Sequence, residues 1–497
     1  MAAKSKPMGR ISRGTINFWM SLGTRALPFA DVASETLPLN RLLRLSLIQV
    51  SVGMSLVLLV GTLNRVMIVE LGVPTVLVGV MLALPLLAAP FRALIGHQSD
   101  NHRSALGWRR VPFIWRGTML QFGGLAMMPF ALLVLADQGE SARYPDWIGQ
   151  LTAGLAFLLV GAGIHTTQTV GLALATDQAP DEDQPNVVGL MYVMMLVGMI
   201  VSALVFGALL ADFSNGRLIQ VIQGSAVVTF FLNTIALWKQ EARKPAHLHP
   251  PEPTQSFRAS WDKYIAQGSA IRRLIVVGFG TLAFSMEDIL LEPYGGQVLG
   301  MGVGDTTKLT AAFAGGSLIG FALASRMLSR GFDPFRMATY GAGIGIPAFL
   351  LVILSATGPS AAAFTIGVMG IGFGAGLFAH GTLTATMNFA PKDQVGLALG
   401  SWGAVQATAA GVGAALGGAL RDLYTGTPLS FGRVSWPPEA SGYLVVYGLE
   451  VLLLVITLVA MWPLLSMKRP NVGIARDRGN APMAEPVQPF PALAAAE

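Results

Sequence analysis

Long apolar runs separated by short polar connections dominate the chain. Twelve of them reach the twenty or so residues that an α-helix needs to cross a bilayer. They fall at about 44–69, 74–96, 111–136, 148–176, 187–211, 217–238, 272–294, 306–328, 335–357, 361–388, 395–420 and 442–466. The pattern predicts an all-α membrane protein of twelve transmembrane helices. One long connection follows the sixth run. The chain therefore divides into an N-terminal segment 1–40, a six-helix bundle 41–240, a linker 241–271, a second six-helix bundle 272–467 and a tail 468–497.

Composition agrees. Of 497 residues only 12% are charged, against about 25% in a soluble protein. The 58 glycines suit membrane helices that pack closely through small side chains. With no cysteine, disulfides, thiol chemistry and cysteine metal sites are excluded. No G-x-x-x-x-G-K-[ST] or H-E-x-x-H is present. Gly370-Ile371-Gly372-Phe373-Gly374-Ala375 lies inside the tenth run without a preceding strand, so helix packing explains it better than dinucleotide binding. The reading is not an enzyme, and no nucleic-acid partner is expected.

Lys and Arg set the expected orientation. With both termini cytoplasmic, the outer segments hold Arg65, Arg143, Arg217, Lys308, Arg421 and Arg433, and Arg92 lies within a span. Of the 33 basic residues, taking away those seven leaves 26 for the cytoplasmic side. Residues 1–40 lack the short apolar core of a cleavable signal. There Ile11, Ile16, Phe18, Trp19 and Leu22 alternate with Arg10, Arg13 and Arg25, which suggests an interfacial helix. The linker begins rich in proline and charge. It ends with Phe257, Trp261, Tyr264 and Ile265 among basic residues, a second candidate surface helix. His247 and His249 read as ordinary linker residues, and the Pro/Ala-rich tail from Lys468 as disordered.

The strongest chemical signal is Met286-Glu287-Asp288-Ile289-Leu290-Leu291-Glu292-Pro293-Tyr294-Gly295-Gly296. Carboxylates inside an apolar run are costly unless they face a cavity or a partner. On a continuous helix Asp288 and Glu292 share a face, and Pro293 with the glycine pair would then stop or break it. His165 and His380 are the histidines inside apolar runs, and neutral imidazole can ligate metals, including the magnesium of chlorophyll-type macrocycles. A lone helix histidine is more often hydrogen-bonded core. Neither is expected to bind a bare metal ion. Asp177, Asp181, Glu182 and Asp183 form an acidic loop, most simply solvated, with a meeting with Arg109 and Arg110 or with a basic partner tail as the alternatives.

The halves resemble each other. Leu63-Asn64-Arg65 through Glu70-Leu71-Gly72 matches Leu291-Glu292-Pro293 through Val298-Leu299-Gly300, and Ala179-Pro180 answers Ala390-Pro391. A 6+6 pseudo-symmetric bundle of this kind resembles the major facilitator superfamily. Gly96-His97-Gln98-Ser99-Asp100 with Gly107-Trp108-Arg109-Arg110 is similar to that superfamily's loop between spans two and three, with extra residues between Asp100 and Gly107. In that architecture spans one and seven line the cavity. Asn64, Arg65, Glu287, Asp288, Glu292 and Tyr294 are therefore the candidate cavity and gating residues, with an Arg65–Glu292 or Arg65–Glu287 ion pair expected to close the outer side. Arg65 snorkelling to the surface is the alternative.

Taken together, Leu63 to Gly72, Ser99 to Ser104, Trp108-Arg109-Arg110-Val111-Pro112 and Leu290 to Gly296 resemble the bacteriochlorophyll delivery (PucC/LhaA-type) family of light-harvesting complex assembly proteins of phototrophic bacteria. The resemblance spans about residues 15–468. It implies a multi-pass protein of the bacterial inner, intracytoplasmic photosynthetic membrane. Such a protein binds (bacterio)chlorophyll, with carotenoid as a further candidate, and delivers it to nascent light-harvesting α and β polypeptides. The core antenna is favoured over the peripheral one on the long terminal extensions. Bacteriochlorophyll synthase and the membrane insertion machinery become candidate partners, His165 and His380 candidate pigment ligands, and the Tyr424, Phe431 and Trp436 loop a candidate antenna contact, with an interfacial aromatic belt as the plainer account of that loop. The alternative function is a proton-coupled secondary transporter of an amphiphilic solute, using Glu287, Asp288 or Glu292.

Overall fold

Each predicted apolar run becomes a helix in the computed structural model of the chain. The model describes residues 38–466 apart from 88–94, 96–97, 100–107, 137–142, 180–183, 242–260, 263, 267–268, 359, 390–394 and 432–433. The expected interfacial helix in 1–40, the loop residues Gly96, Asp100 and Gly107, most of the linker and the tail 468–497 lie outside the described residues.

The first span is built of α1 (Leu39–Leu45) and α2 (Leu47–Leu56), then two π-helical stretches, Val57–Leu63 and Val66–Glu70. Next come α3 (Thr75–Leu87), α4 (Val111–Leu135), α5 (Asp146–Thr176), α6 (Gln184–Leu209) and α7 (Asn215–Leu237). In the second half the seventh span is split into α8 (Ala270–Ala283), a 3-10 turn (Glu287–Ile289) and α9 (Leu291–Gln297). It continues with α10 (Val303–Ser329), α11 (Pro334–Leu354), α12 (Ala361–Phe389), α13 (Val395–Tyr424) and α14 (Ser441–Leu465). Between α13 and α14 lies a small hairpin, β1 (Ser430–Phe431) against β2 (Val434–Ser435). Among the described residues eleven helices are long and apolar enough to cross a membrane, and the described part of α3 is a shorter apolar helix. Twelve passes put both ends of the helical region on one face, here the terminal face; the opposite one is the far face.

Local chemistry explains the helix starts. Pro112 and Pro334 occupy first-turn positions, where a missing N–H is harmless. The side chains of Ser214 and Asp333 accept from the backbone N–H groups of Arg217 at 3.2 Å and Arg336 at 2.9 Å. The outward surface is apolar where a soluble protein would be polar: Trp462, Val459 and Phe231 are 76%, 69% and 57% exposed. This is a multi-pass membrane protein.

Within the first half α4 packs on α5; within the second, α12 packs on α10 and α11. The halves meet along two helix pairs, α3 with α13 and α6 with α10. Glycines allow the second pairing. A Cβ on Gly207 would sit 2.7 Å from the Gly304 carbonyl oxygen, and one on Gly304 would sit 2.5 Å from that of Gly207. Close to the linker's end, Tyr264 is buried with Ala270 and Ala398, while Trp261 and Ile265 pack against them. The aromatic end of the linker is thus docked on the second bundle.

Candidate functional site

The break in the seventh span is placed differently from the sequence expectation. Pro293 does not end a helix; it sits in the first turn of α9, and the unwinding lies upstream, between Phe284 and Leu290. Proline still leaves a mark there. Without an N–H at Pro293, the carbonyl four residues earlier, on Ile289, has no intrahelical donor. Asn64 of the first span supplies one, its Nδ2 donating at 3.0 Å. Three further hydrogen bonds between the described residues of the two halves lie at the far face: Thr62 with Thr307 at 3.4 Å, Arg65 Nη2 to the Met301 carbonyl at 3.0 Å, and the Val76 N–H to Asp422 at 2.7 Å.

Arg65 has a partner, but not the expected one. Its Nη1 pairs with Glu70 Oε1 at 2.5 Å, five residues on in the same span, and the expected pair with Glu292 or Glu287 is not formed. The π-helical winding brings residues five apart onto one face, which an α-helix would not do. The Arg65 side chain is 4% exposed and Glu70 35%, so the charge reaches toward the far face without leaving the protein. Gly296 makes room for it: a Cβ there would lie 3.0 Å from Nη2. Gly61 does the same for Glu292, whose Oε1 fills the space where a Gly61 side chain would be. Glu292 Oε1 accepts from the Thr310 hydroxyl, and its Oε2 has no hydrogen-bond partner.

Asp288 and Glu292 line a cavity of about 170 Å³ between the halves, among Leu56, Val60, Gly61, Met199, Leu309, Thr310 and Phe313. They share a face despite the break. Glu287 turns the other way, fully buried beside Glu450 of α14. Tyr294 also faces the core of the second half. Its hydroxyl donates to the Val352 carbonyl at 3.1 Å, and its ring packs edge-on against Tyr443 and Tyr447. Of the six residues expected around the cavity, Asp288 and Glu292 line it, Asn64 and Arg65 tie its far end, and Glu287 and Tyr294 lie behind it.

A second polar cluster lies on the terminal face. Arg110, 5% exposed, donates from Nε to Asp177 at 3.0 Å and from Nη1 to Ser99 at 2.7 Å, and Arg109 joins the same carboxylate. Of the acidic loop, Asp177 thus meets the two arginines; Asp181, Glu182 and Asp183 lie outside the described residues. Burial alone would raise the Asp177 carboxyl, but the hydrogen bonds and charges of Arg110 and Arg109 hold it below the ordinary carboxylate range. Glu241, which no sequence motif marked, accepts from the backbone N–H groups of Arg109 at 2.8 Å, Arg110 at 3.0 Å and Val111 at 2.9 Å. It caps α4 from beyond the end of α7.

The histidines stand apart from both clusters. His380 on α12 meets the Phe321 ring edge-on at 4.2 Å, and its buried Nδ1 has no hydrogen-bond partner among the described residues. His165 is half-buried on α5. Neither lines a larger hollow, of about 750 Å³, which lies between α6 and α7 over the first span and is walled by Val50, Met54, Val201, Val205, Val228 and Leu232, with Arg217 and Gln220 at one end.

A model of the family described as PUCC protein matches residues 62–469. The chain belongs to the PucC family. Protein PucC of Rhodovulum sulfidophilum is 64% identical over 418 residues, 84% of this chain and 92% of that one. At 28% identity, covering 85% of this chain and 94% of the relative, the PucC-family chain also matches a Rhodobacter capsulatus protein named bacteriochlorophyll synthase 44.5 kDa chain. Among solved structures it is similar to the nucleoside transporter NupG, with a TM-score of 0.65 at 13% identity over 85% of this chain and 99% of that one. That likeness shows the major facilitator fold, including the pairing of two six-helix halves.

Proposed function

We propose that this PucC-family protein is a membrane assembly factor for light-harvesting complexes that holds (bacterio)chlorophyll and hands it to nascent α and β antenna polypeptides, without catalysing a reaction itself. The carrying observation is where the space lies. Ligand pockets run to about 300–1,000 Å³. The cavity between the halves, at about 170 Å³, is below that range, whereas the α6–α7 hollow, at about 750 Å³, is within it. A phytylated macrocycle is apolar and moves within the bilayer, so a sideways-opening apolar wall suits it better than an aqueous tunnel. The relative named for bacteriochlorophyll synthase supports the same pigment chemistry. Carotenoid is a second candidate for the same kind of surface. His380, with its unpartnered Nδ1, is the stronger of the two histidine candidates for a pigment magnesium ligand.

The basic-residue bias supports cytoplasmic termini, which would make the far face the outer one, and the family supports the inner, photosynthetic membrane as its place. There Arg65, Asn64 and Glu70 serve as the closure between the halves.

The test is purification in mild detergent from a phototrophic host, with pigment and subunit analysis. Bacteriochlorophyll or antenna polypeptides should accompany the protein, and Gly224→Trp should reduce the pigment recovered, since a side chain at Gly224 grows into open space within the hollow. A colourless protein that takes up a solute down a proton gradient would establish the second reading, a proton-coupled transporter. The carboxylates at the break in the seventh span favour that reading.

A further inference from the structure

Glu287 and Glu450 are both fully buried, one on the 3-10 turn at the break in the seventh span and the other on α14. The two side chains lie within hydrogen-bonding reach of each other. Yet no side chain among the described residues donates to any of the four carboxylate oxygens, and the N–H nearest to them is the backbone of Glu287 itself. Two carboxylates meet this way with a proton or a cation between them. Ionising both in an apolar interior with no cation at hand would cost several kcal/mol.

Among the described residues the surroundings supply no such side-chain cation. Asp288 adds a third carboxylate from the same turn. From α14, Tyr447 brings a fully buried hydroxyl that has no partner among the described residues and lies close to both glutamates. Tyr443 and Tyr294 stand behind it, their hydroxyls engaged with Gln297 at 2.6 Å and the Val352 carbonyl at 3.1 Å. Arg421 of α13 is held by Asp422, Gln297 and Tyr443, and Arg65 by Glu70 and Met301. The described parts of α3 and of the π-helical stretches packed against the turn carry no charged residue other than Glu70.

We infer that Glu287 and Glu450 form a proton-binding site inside the second bundle, loaded through Asp288 from the cavity between the halves. Consecutive residues on the unwound turn point to opposite sides. Asp288 lines the cavity, where water can bring a proton, and Glu287 reaches into the core. The step is proton transfer alone: hydronium in the cavity protonates Asp288, leaving water, and Asp288 passes the proton to the Glu287–Glu450 pair. The unpartnered Tyr447 hydroxyl is placed to donate to the remaining carboxylate oxygen. The bound proton joins the break in the seventh span to α14, so its loss would set two like charges against each other across that junction. The site goes beyond the pigment-handling reading and would stand or fall without it, because its readout involves no pigment.

Infrared spectroscopy of the full chain in nanodiscs at neutral pH tests it, with each sample also prepared as Glu292→Gln to remove that carboxyl's contribution. The wild type should show a protonated-carboxyl C=O band that shifts on transfer to D₂O. Glu287→Gln and Glu450→Gln should each remove it, because an amide then donates to the remaining ionised carboxylate. Asp288→Asn should keep the band and slow its deuterium shift by about tenfold or more. Should a single glutamine variant fail to fold, the Glu287→Gln/Glu450→Gln double variant, whose amides satisfy each other, should lack the band as well. The inference is overturned if the wild type has no such band, if the band survives both glutamine substitutions, or if it appears only after sodium and potassium are withdrawn, which would make the pair a metal-cation site.

Discussion

The side-chain amide of Asn64 donates to the carbonyl oxygen that Pro293 leaves without a partner, on Ile289, across the junction of the two halves. Both ends are buried, so neither finds water in its place. Asn64→Ala should lower stability by about 1–3 kcal/mol, the range for a buried acceptor left unsatisfied. Pro293→Ala restores an N–H that can reach Ile289 within the helix. In that background Asn64→Ala should cost clearly less, and thermal unfolding of the four proteins in a double-mutant cycle measures the difference.

Gly207 and Gly304 bring the backbones of α6 and α10 together. Valine at either position should push the halves apart near the far face, because backbone atoms, unlike a flexible side chain, cannot step aside. The natural chain has no cysteine, so a pair of introduced cysteines carrying spin labels can report the separation without background. Gly207→Val should broaden the distance distribution and lengthen its mean; Gly224→Ala, in open space, should leave it unchanged.

The carboxyl of Asp177 titrates below its unfolded range because Arg110 and Arg109 favour its charged form. A group with a depressed folded pKa contributes stability that is present above the unfolded pKa and lost as pH falls through the folded one. Asp177→Asn should therefore destabilise the protein at neutral pH by about 0.5–1 kcal/mol, since the partly exposed pair is screened by solvent. The gap to the wild type should close on acidification below the ordinary carboxylate range. Unfolding temperatures across that range give the check.

Glu241 caps α4 through three backbone N–H groups. Glu241→Ala should cost about 0.5–2 kcal/mol, as for lost helix caps. Glu241→Gln, which keeps an acceptor but not the charge, should cost less. Hydrogen exchange at residues 109–111 should accelerate in the alanine variant first.

The spans were readable because a bilayer demands length and hydrophobicity, and both are linear properties of the chain. Their ends shifted by only a few residues. What depends on winding was not readable. The Arg65–Glu70 pair needs π-helical turns, and nothing in Val57 to Glu70 announces them, so the sequence points to a partner on the seventh span instead. The unwinding upstream of Pro293 was placed too late, because proline and the glycine pair are the visible breakers while Phe284 to Leu290 carries none. Glu450, a lone acid in an apolar run, is marked by no sequence motif, and its neighbour Glu287 lies more than 160 positions away in the chain, a distance that sequence spacing cannot bridge. Glu241 was hidden for the same reason.

The wide turns of the first span also have a consequence for azimuth. An α-helix advances about 100° per residue, and a wider coil advances less, so over Val57–Leu63 and Val66–Glu70 the two windings diverge in the direction their side chains point. Rewound regularly, the same residues would carry Asn64 and Arg65 round the axis and off Ile289 and Met301. The far-face latch is therefore set by coil geometry as much as by the identity of the groups that close it.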